Sequence, residues 1–592
     1  METTKDWEGI TVTDIRIHRD QSGYLFEDHV FGVNLEITRK GFFGGLSAEM
    51  LNNRKLFAGA DAPAGWECTA FERVTDRPHE SLCQSNFIIL RNGGTMKQTS
   101  EVIATKAGKT YEARAWVKAL THTAEITFGP EGLEQTFTVT ADGEAYTPLS
   151  FIFDGTDLDG GTFTLTVKGE AAVYEVSLRP TDHFFGMRRD VIEALRTVRP
   201  TAIRFPGGCA ADHFDWKESL KAPELRKPAD GSSKWFLFRD SYDQDTLDIG
   251  LNEFIMLCKE LDAEPEYTVS LILSDGEDAR RLVEYCNGSP ATEYGAKRQA
   301  LGFDPFGIHL WYVGNEAYFF GGEFQNSQAA ALRTNELIRA MKQADPTIAT
   351  AIGLTWGYGY RDWCFDFMKH LDTPFEYVSY HDYIGILPDA TQGDNGMATT
   401  AILEDNFRGG DCFGLNFYRD MLFKEDYAPI RVCVDEWNYS WGKDSSGALF
   451  FSNALQLHFI AKAKETYHVD RGEFFMPINE GMVTVKGNEV KTESTAYLFT
   501  LMQDHRGGTV IPCDTDHPDL DLLCTDHGDH LYLSVVNRRS TPIDLAAAGY
   551  AITDCTEIRT GEYSFESNDF TVEQGTAPTV HGHSVLFVRL EK

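Results

Sequence analysis

The chain lacks long apolar runs, an excess of basic residues and any paired spacing of cysteines, and each lack removes a class of function. No stretch reaches about 18 consecutive apolar residues, so no membrane partner is expected. Against 90 Asp and Glu stand only 54 Lys and Arg, a formal charge of -36 that repels phosphate backbones and makes nucleic acid an unexpected partner. The first residues, METTKDWEGITV, have no basic region followed by an apolar run, which predicts a soluble chain made without a secretion signal. Eleven cysteines, an odd number, run from Cys68 to Cys555 without CxxC or metal-ligand spacing. That usage predicts reduced thiols in a cytoplasm; no metal and no cofactor are expected.

What is present is a folded composition, 42% hydrophobic and 12% aromatic, over 592 residues, enough for two to four domains by the usual prior. From about residue 180, short β-branched or aromatic runs alternate with amphipathic stretches such as GMRRDVIEALRTVRP and LNEFIMLCKELD. Eight strand candidates emerge: HVFGVNLE, TAIRFPGG, EYTVSLIL, IHLWYVG, TIATAIGL, FEYVSYHD, IRVCVD and EFFMPIN. Their closure predicts an α/β chain with a (β/α)8 barrel formed from 21–57 and 181–500. Between the LNNRKLF helix end and residue 180 only β-like pieces occur, predicting a β-sandwich over 58–180 inserted after the first barrel strand. A second β-sandwich is expected over 501–592, with 1–20 joining it as a strand.

Barrel chemistry sits at the carboxyl ends of the strands. Those ends carry Glu36; Arg204 with the PGGC turn to Cys209; Asn315 and Glu316; Trp356; His381 and Tyr383; Asp435 and Glu436; and Asn479 and Glu480. A lone glutamate after a strand is ordinarily solvated or beside a helix cap. Two of them, Glu316 and Glu436, each after a strongly apolar strand, form the pair that glycoside hydrolysis requires: one protonated to release the leaving oxygen, one ionised to attack or activate water. Arg204 is a candidate for keeping one ionised, and an apolar wall of Trp311, Tyr318 and Phe319 for keeping the other protonated. Trp437 and Trp441 offer flat faces for sugar rings. Strand alternation predicts that Glu436 points into the mouth and Asp435 anchors the turn, with the Glu316 and Glu436 carboxyls roughly 5 Å apart. Cys209 reads as a pocket-wall thiol, since no histidine adjoins it to activate a nucleophile. The dense Asp and His of DTDHPDLDLLCTDHGDH (514–530) read as a solvated acidic loop rather than a metal site.

The ordered set FGVNLEITRKGFFGGLSAEMLNNR, RFPGG, EYCNG, WYVGNE, SYHDY and DEWN resembles the α-L-arabinofuranosidases of glycoside hydrolase family 51, a retaining (β/α)8 family. The resemblance spans about residues 30 to 480 and implies Glu316 as general acid/base and Glu436 as nucleophile. It implies Glu36, Asn315, His381 and Tyr383 as binders of the furanose, with His381, Tyr383 and Arg204 around the nucleophile. Segment 58–180 resembles the carbohydrate-binding module of the eukaryotic-type branch, and the substrate implied is an oligosaccharide with terminal arabinofuranose. Another furanoside or pyranoside remains open on the altered loop after the second strand (209–250), as does a sugar-binding protein without turnover.

Overall fold

The computed structural model describes residues 12–38, 40–141, 143, 145–228, 246–320, 322–354, 360–383, 430–439, 444–560, 563–564, 566–575 and 578–591. Eight parallel strands close a barrel in the expected order: Gly32–Asn34, Ala202–Phe205, Glu264–Val269, Leu310–Val313, Ala349–Gly353, Tyr377–Tyr383, Arg431–Asn438 and Val469–Phe475, which returns to the first. The strands are short and almost wholly buried, as parallel strands covered by helices must be. Helices follow from local signals. Asp275 caps Gly276–Asn287 by accepting from Asp278 N at 2.8 Å, and Asn326 caps Ser327–Ala344 from Ala329 N at 2.9 Å. Arg189–Val198 buries Val191, Ile192, Leu195 and Val198, and stops where Arg199 turns left-handed ahead of Pro200.

Between the first and second barrel strands, Glu67–Val74 and seven strands from Phe87–Ser100 to Ala171–Pro180 form one antiparallel sheet. The long strand Phe87–Ser100 belongs to both halves: its first part pairs with Ala171–Pro180 and its last part with Gly161–Lys168. The sheet folds over a core of its own, which includes Ile126, Phe128, Phe163, Leu165 and Val176. The LNNRKLF stretch is a turn and not the end of a helix.

Two further sheets close the chain. Thr13–Ile17 pairs with Cys513–Thr515 and Ile543–Ala547, and Tyr24–Leu25 pairs with Thr509–Ile511. The N-terminal contribution to these sheets therefore reaches past residue 20, to Leu25. Segment 514–530 is not simply a loop: it includes strand Leu520–Asp526, and several of its carboxylates are paired. Asp514 and Asp516 meet Arg16, Asp526 meets Arg19, and Asp521 meets His458 (2.8 Å) and Lys462 (2.7 Å). Among the described residues no helix is long and apolar enough to cross a membrane, and the ten described cysteines are free.

A buried ionic cluster joins the inserted sheet to the barrel. Arg54 meets Glu175 of strand Ala171–Pro180 and, through Nε at 2.8 Å, Asp248 just before helix Leu251–Leu261. Removing one member of such a cluster leaves unpaired buried charge. Arg54→Met is expected to cost about 3–5 kcal/mol of stability, read as an earlier midpoint in urea unfolding.

Candidate active site

The second barrel strand ends at Phe205, and the chain turns through Pro206, Gly207 and Gly208. That turn is glycine for a steric reason: a Cβ on Gly208 would stand 2.0 Å from Glu436 Oε1 and 2.9 Å from Glu36 Oε2. At Gly207, with φ of 101°, it would meet Glu36 Cβ at 2.4 Å. The Gly208 N–H donates to Glu36 Oε2 at 2.6 Å, so the turn cradles two carboxylates at once. Thr38 Oγ1 donates to the other oxygen of Glu36 at 3.0 Å.

Arg204, fully buried on the second strand, ties four strands together. Its Nε donates to Thr268 Oγ1 (3.1 Å), its Nη2 to Asn315 Oδ1 (2.8 Å), and its Nη1 to Glu436 Oε1 (3.1 Å), with Asp435 Oδ2 at 3.0 Å. The ring of Tyr312 lies 4.5 Å from the guanidinium carbon. Glu436 also accepts from Tyr383 OH through Oε2 at 2.9 Å.

Glu316 follows the fourth strand with φ of 41°, a left-handed conformation rare outside glycine and asparagine. Its Oε1 lies 2.7 Å from His381 Nδ1, and its Oε2 accepts from the Cys209 thiol at 3.5 Å. His381 Nδ1 is also 3.4 Å from Glu436 Oε2. One donor atom each from Glu316, His381 and Glu436 lie within 4.8 Å of one another. By count this trio could hold a divalent cation. A guanidinium 3.1 Å from Glu436, and proton donors on both carboxylates, are instead the surroundings of an acid/base pair.

The charges follow from burial set against neighbours. Burial pulls the imidazole of His381 down, but Glu436, Asp435 and Glu316 override it and hold it well above its ordinary value, so it is a cation. Burial raises Glu436 above the usual carboxylate range; His381 and Arg204 oppose this, while Glu316 and Glu36 add to it. For Asp435 the balance reverses: burial is outweighed by Arg204 and His381, and the group stays ionised. Cys209 is held as a thiol, first by burial and then by Glu316 and Glu36.

Glu36, Arg204, Cys209, Asn315, Glu316, His381, Tyr383 and Glu436 thus stand together, His381 and Tyr383 inside the sixth strand and Glu436 inside the seventh. Trp437 does not join them. It is wholly buried outside the barrel, stacked on Phe499 (5.8 Å) and edge-on to Phe474 (5.1 Å), and serves the core. Trp311 is likewise a core residue, its Nε1 donating to Ile308 O at 3.0 Å. Trp356, Trp441 and residues 229–245 of the loop after the second strand lie outside the described residues.

Asp435 departs from the alternation expected for it. Cys433 pairs with Ser379 and Glu436 with His381, so Val434 and Asp435 stand opposite Tyr380 alone. This bulge turns consecutive carboxylates toward the same guanidinium. Asp435 then accepts from Ser379 Oγ (2.9 Å) and Tyr380 N (3.1 Å), holding the sixth strand and not a turn. Asp212 carried no sequence signal at all. Buried three residues past Cys209, it accepts from Leu271 N at 2.6 Å, with the backbone of Asn315 among its further donors, so it steadies the segment that carries Glu316.

An arabinofuranosidase domain description, "Alpha-L-arabinofuranosidase 1 domain", matches residues 194–383. An Arabidopsis thaliana α-L-arabinofuranosidase 2 is 25% identical over 410 residues, 60% of this chain and 56% of its own length. A Streptomyces lividans intracellular exo-α-(1→5)-L-arabinofuranosidase is 30% identical over 431 residues, 64% of this chain and 62% of its own. The chain thus spans less than two thirds of the length of these relatives. An arabinose-bound family 51 α-L-arabinofuranosidase shares the fold with TM-score 0.74 at 16% identity, covering 98% of this chain and all of the other. The enzyme of Thermotoga petrophila RKU-1 does so at 0.62 and 16%, with the same coverage. By its ordered motifs, its domain match and its barrel, the chain is similar to the α-L-arabinofuranosidases of glycoside hydrolase family 51.

Proposed function

We propose that the protein is a retaining, exo-acting α-L-arabinofuranosidase. The observation that carries this reading is the close approach of the Glu316 and Glu436 carboxylates, with donor atoms within 4.8 Å across His381, the separation of an acid/base and nucleophile and too narrow for an inverting water. Glu436 attacks the anomeric carbon as Glu316 passes its proton to the leaving oxygen. Water, deprotonated by Glu316, then releases the sugar from Glu436, so the configuration is retained over two displacements. Arg204 and Tyr383 hold the attacking carboxylate by one oxygen each and stabilise its charge. Asn315, fixed by Arg204, and Glu36, fixed by Gly208, are the groups for sugar hydroxyls. The relatives from Halalkalibacterium halodurans and Bacillus subtilis are named intracellular exo-enzymes. Action on small oligosaccharides in the cytoplasm fits these names.

Hydrolysis of p-nitrophenyl α-L-arabinofuranoside tests the reading, and proton NMR should show the α-anomer of arabinose first; a β first product would refute the mechanism. Glu316→Ala should lower kcat/KM by about 10²–10⁴-fold and recover rate with azide as external nucleophile. On the acid side, kcat/KM should fall as Glu436 takes up a proton, at a pH above the ordinary carboxylate range. Because the His381 cation pulls Glu436 down, His381→Asn should move that limb upward by about one pH unit. Asp435→Asn removes the anion that pairs with Arg204 and His381. It should cut kcat more than it raises KM, with the fold intact by circular dichroism.

A further inference from the structure

Between the inserted sheet and the barrel lies a cavity of about 340 Å³, within the range that holds a small ligand. Its walls come from 44–50, after the first barrel strand, from 487–490 in the hairpin after the eighth, and from 102–111 and 180–190 of the inserted sheet and its exit. The first stretch follows the loop that begins at Glu36, but no residue of the barrel mouth lines the cavity. The hairpin is clipped in place by Asn488 Nδ2 on Thr105 O (2.8 Å) and by Arg188 Nη1 on Gly487 O (2.8 Å).

In a chain of charge -36 this lining is unusual, for Lys106, Lys109, Arg188 and Arg189 outnumber the carboxylates Glu49, Asp182 and Asp190. Burial also raises Glu49 toward its neutral form, which widens the surplus. Lys109 is spent on Asp182 (3.2 Å) and Arg188 on Asp190 (2.8 Å). Lys106 has no ion pair among the described residues. The Arg189 guanidinium makes one hydrogen bond there, from Nε to Asp182 O at 2.8 Å. Its carbon also lies 5.3 Å from the centre of the Phe184 ring, and among the described residues Lys106 and Arg189 are the lining cations without a carboxylate partner. Apolar Val102, Ala104 and Val490 supply contact for the carbon faces of a ring.

We propose that this cavity is an accessory saccharide site for a uronate, an acidic sugar whose carboxylate is held by Lys106 and Arg189 while its ring lies against the apolar wall. The sugar class rests on the glycosidase reading; the acidic character rests on the cations alone. Titration calorimetry of the full chain with digalacturonate and with galactobiose, which differ only in their carboxylates, tests it apart from any turnover. Digalacturonate should bind one to one, about tenfold tighter than galactobiose, and weaken by about fivefold or more in Lys106→Ala/Arg189→Ala. Binding should be untouched by Lys168→Ala on the outer sheet, where the lysine is 74% exposed and pairs with Glu125. Hydrolysis of the aryl arabinofuranoside should be unchanged in both variants. No binding, equal binding of galactobiose, indifference to the double substitution, or displacement by an equal concentration of sulfate would each overturn the assignment. A chain that binds digalacturonate without cleaving the arabinofuranoside would leave this site standing and refute the glycosidase reading instead.

Discussion

Everything at the barrel mouth depends on one buried guanidinium. Arg204 carries a full charge with no exposure to water, a state that is tolerable only when every donor finds an acceptor and the charge finds a counter-charge. Its acceptors come from the third, fourth and seventh strands, so satisfying it fixes how those strands meet. Asp435 supplies the counter-charge. With Asp435 committed as an anion, Arg204 can also touch Glu436 without fully cancelling the desolvation of that carboxylate. The nucleophile candidate therefore stays above the ordinary carboxylate range, even with a guanidinium beside it.

The same constraint extends downward into the barrel. Glu266 accepts from Tyr312 OH at 2.9 Å and meets Arg471, while Glu473 is held toward its neutral form by burial and by its neighbours Glu266 and Asp435. Two guanidiniums and a cationic imidazole thus share one interior with more carboxylates than they can neutralise. Protons must remain on some of those carboxylates. An interior that retains protons beside the reacting groups is suited to a reaction in which one carboxyl gives a proton and its neighbour must not hold one.

The inserted sheet is more than an appendage to this arrangement. Lys40, on the loop between Glu36 and Gly44, reaches Glu101 of the sheet at 3.1 Å, and Asn479 after the eighth strand donates to Lys40 O at 2.8 Å. The loop that bears Glu36 is therefore braced from both sides. Arg54 secures the other end of the sheet with charges that cannot be left unpaired.

By itself the sequence determined the barrel, because eight apolar runs separated by amphipathic helices have one common closure, and it named Glu316 and Glu436, because strand ends are where barrel side chains converge. Residues whose place depends on alternation were not decided there. A bulge between Ser379 and His381 turned Asp435 inward beside Glu436, and a bulge depends on pairing between strands that the one-dimensional pattern does not contain. Trp437 looked like a sugar platform by composition and became core, because only the packed helix with Phe499 says which side of the strand is covered. Asp212 was invisible because its partners, Leu271 and the segment at Asn315, lie dozens of residues away and present backbone groups that carry no letter of their own. Local chemistry was written in the chain; which charges share one buried space, and so which of them keep a proton, was decided only when the strands closed.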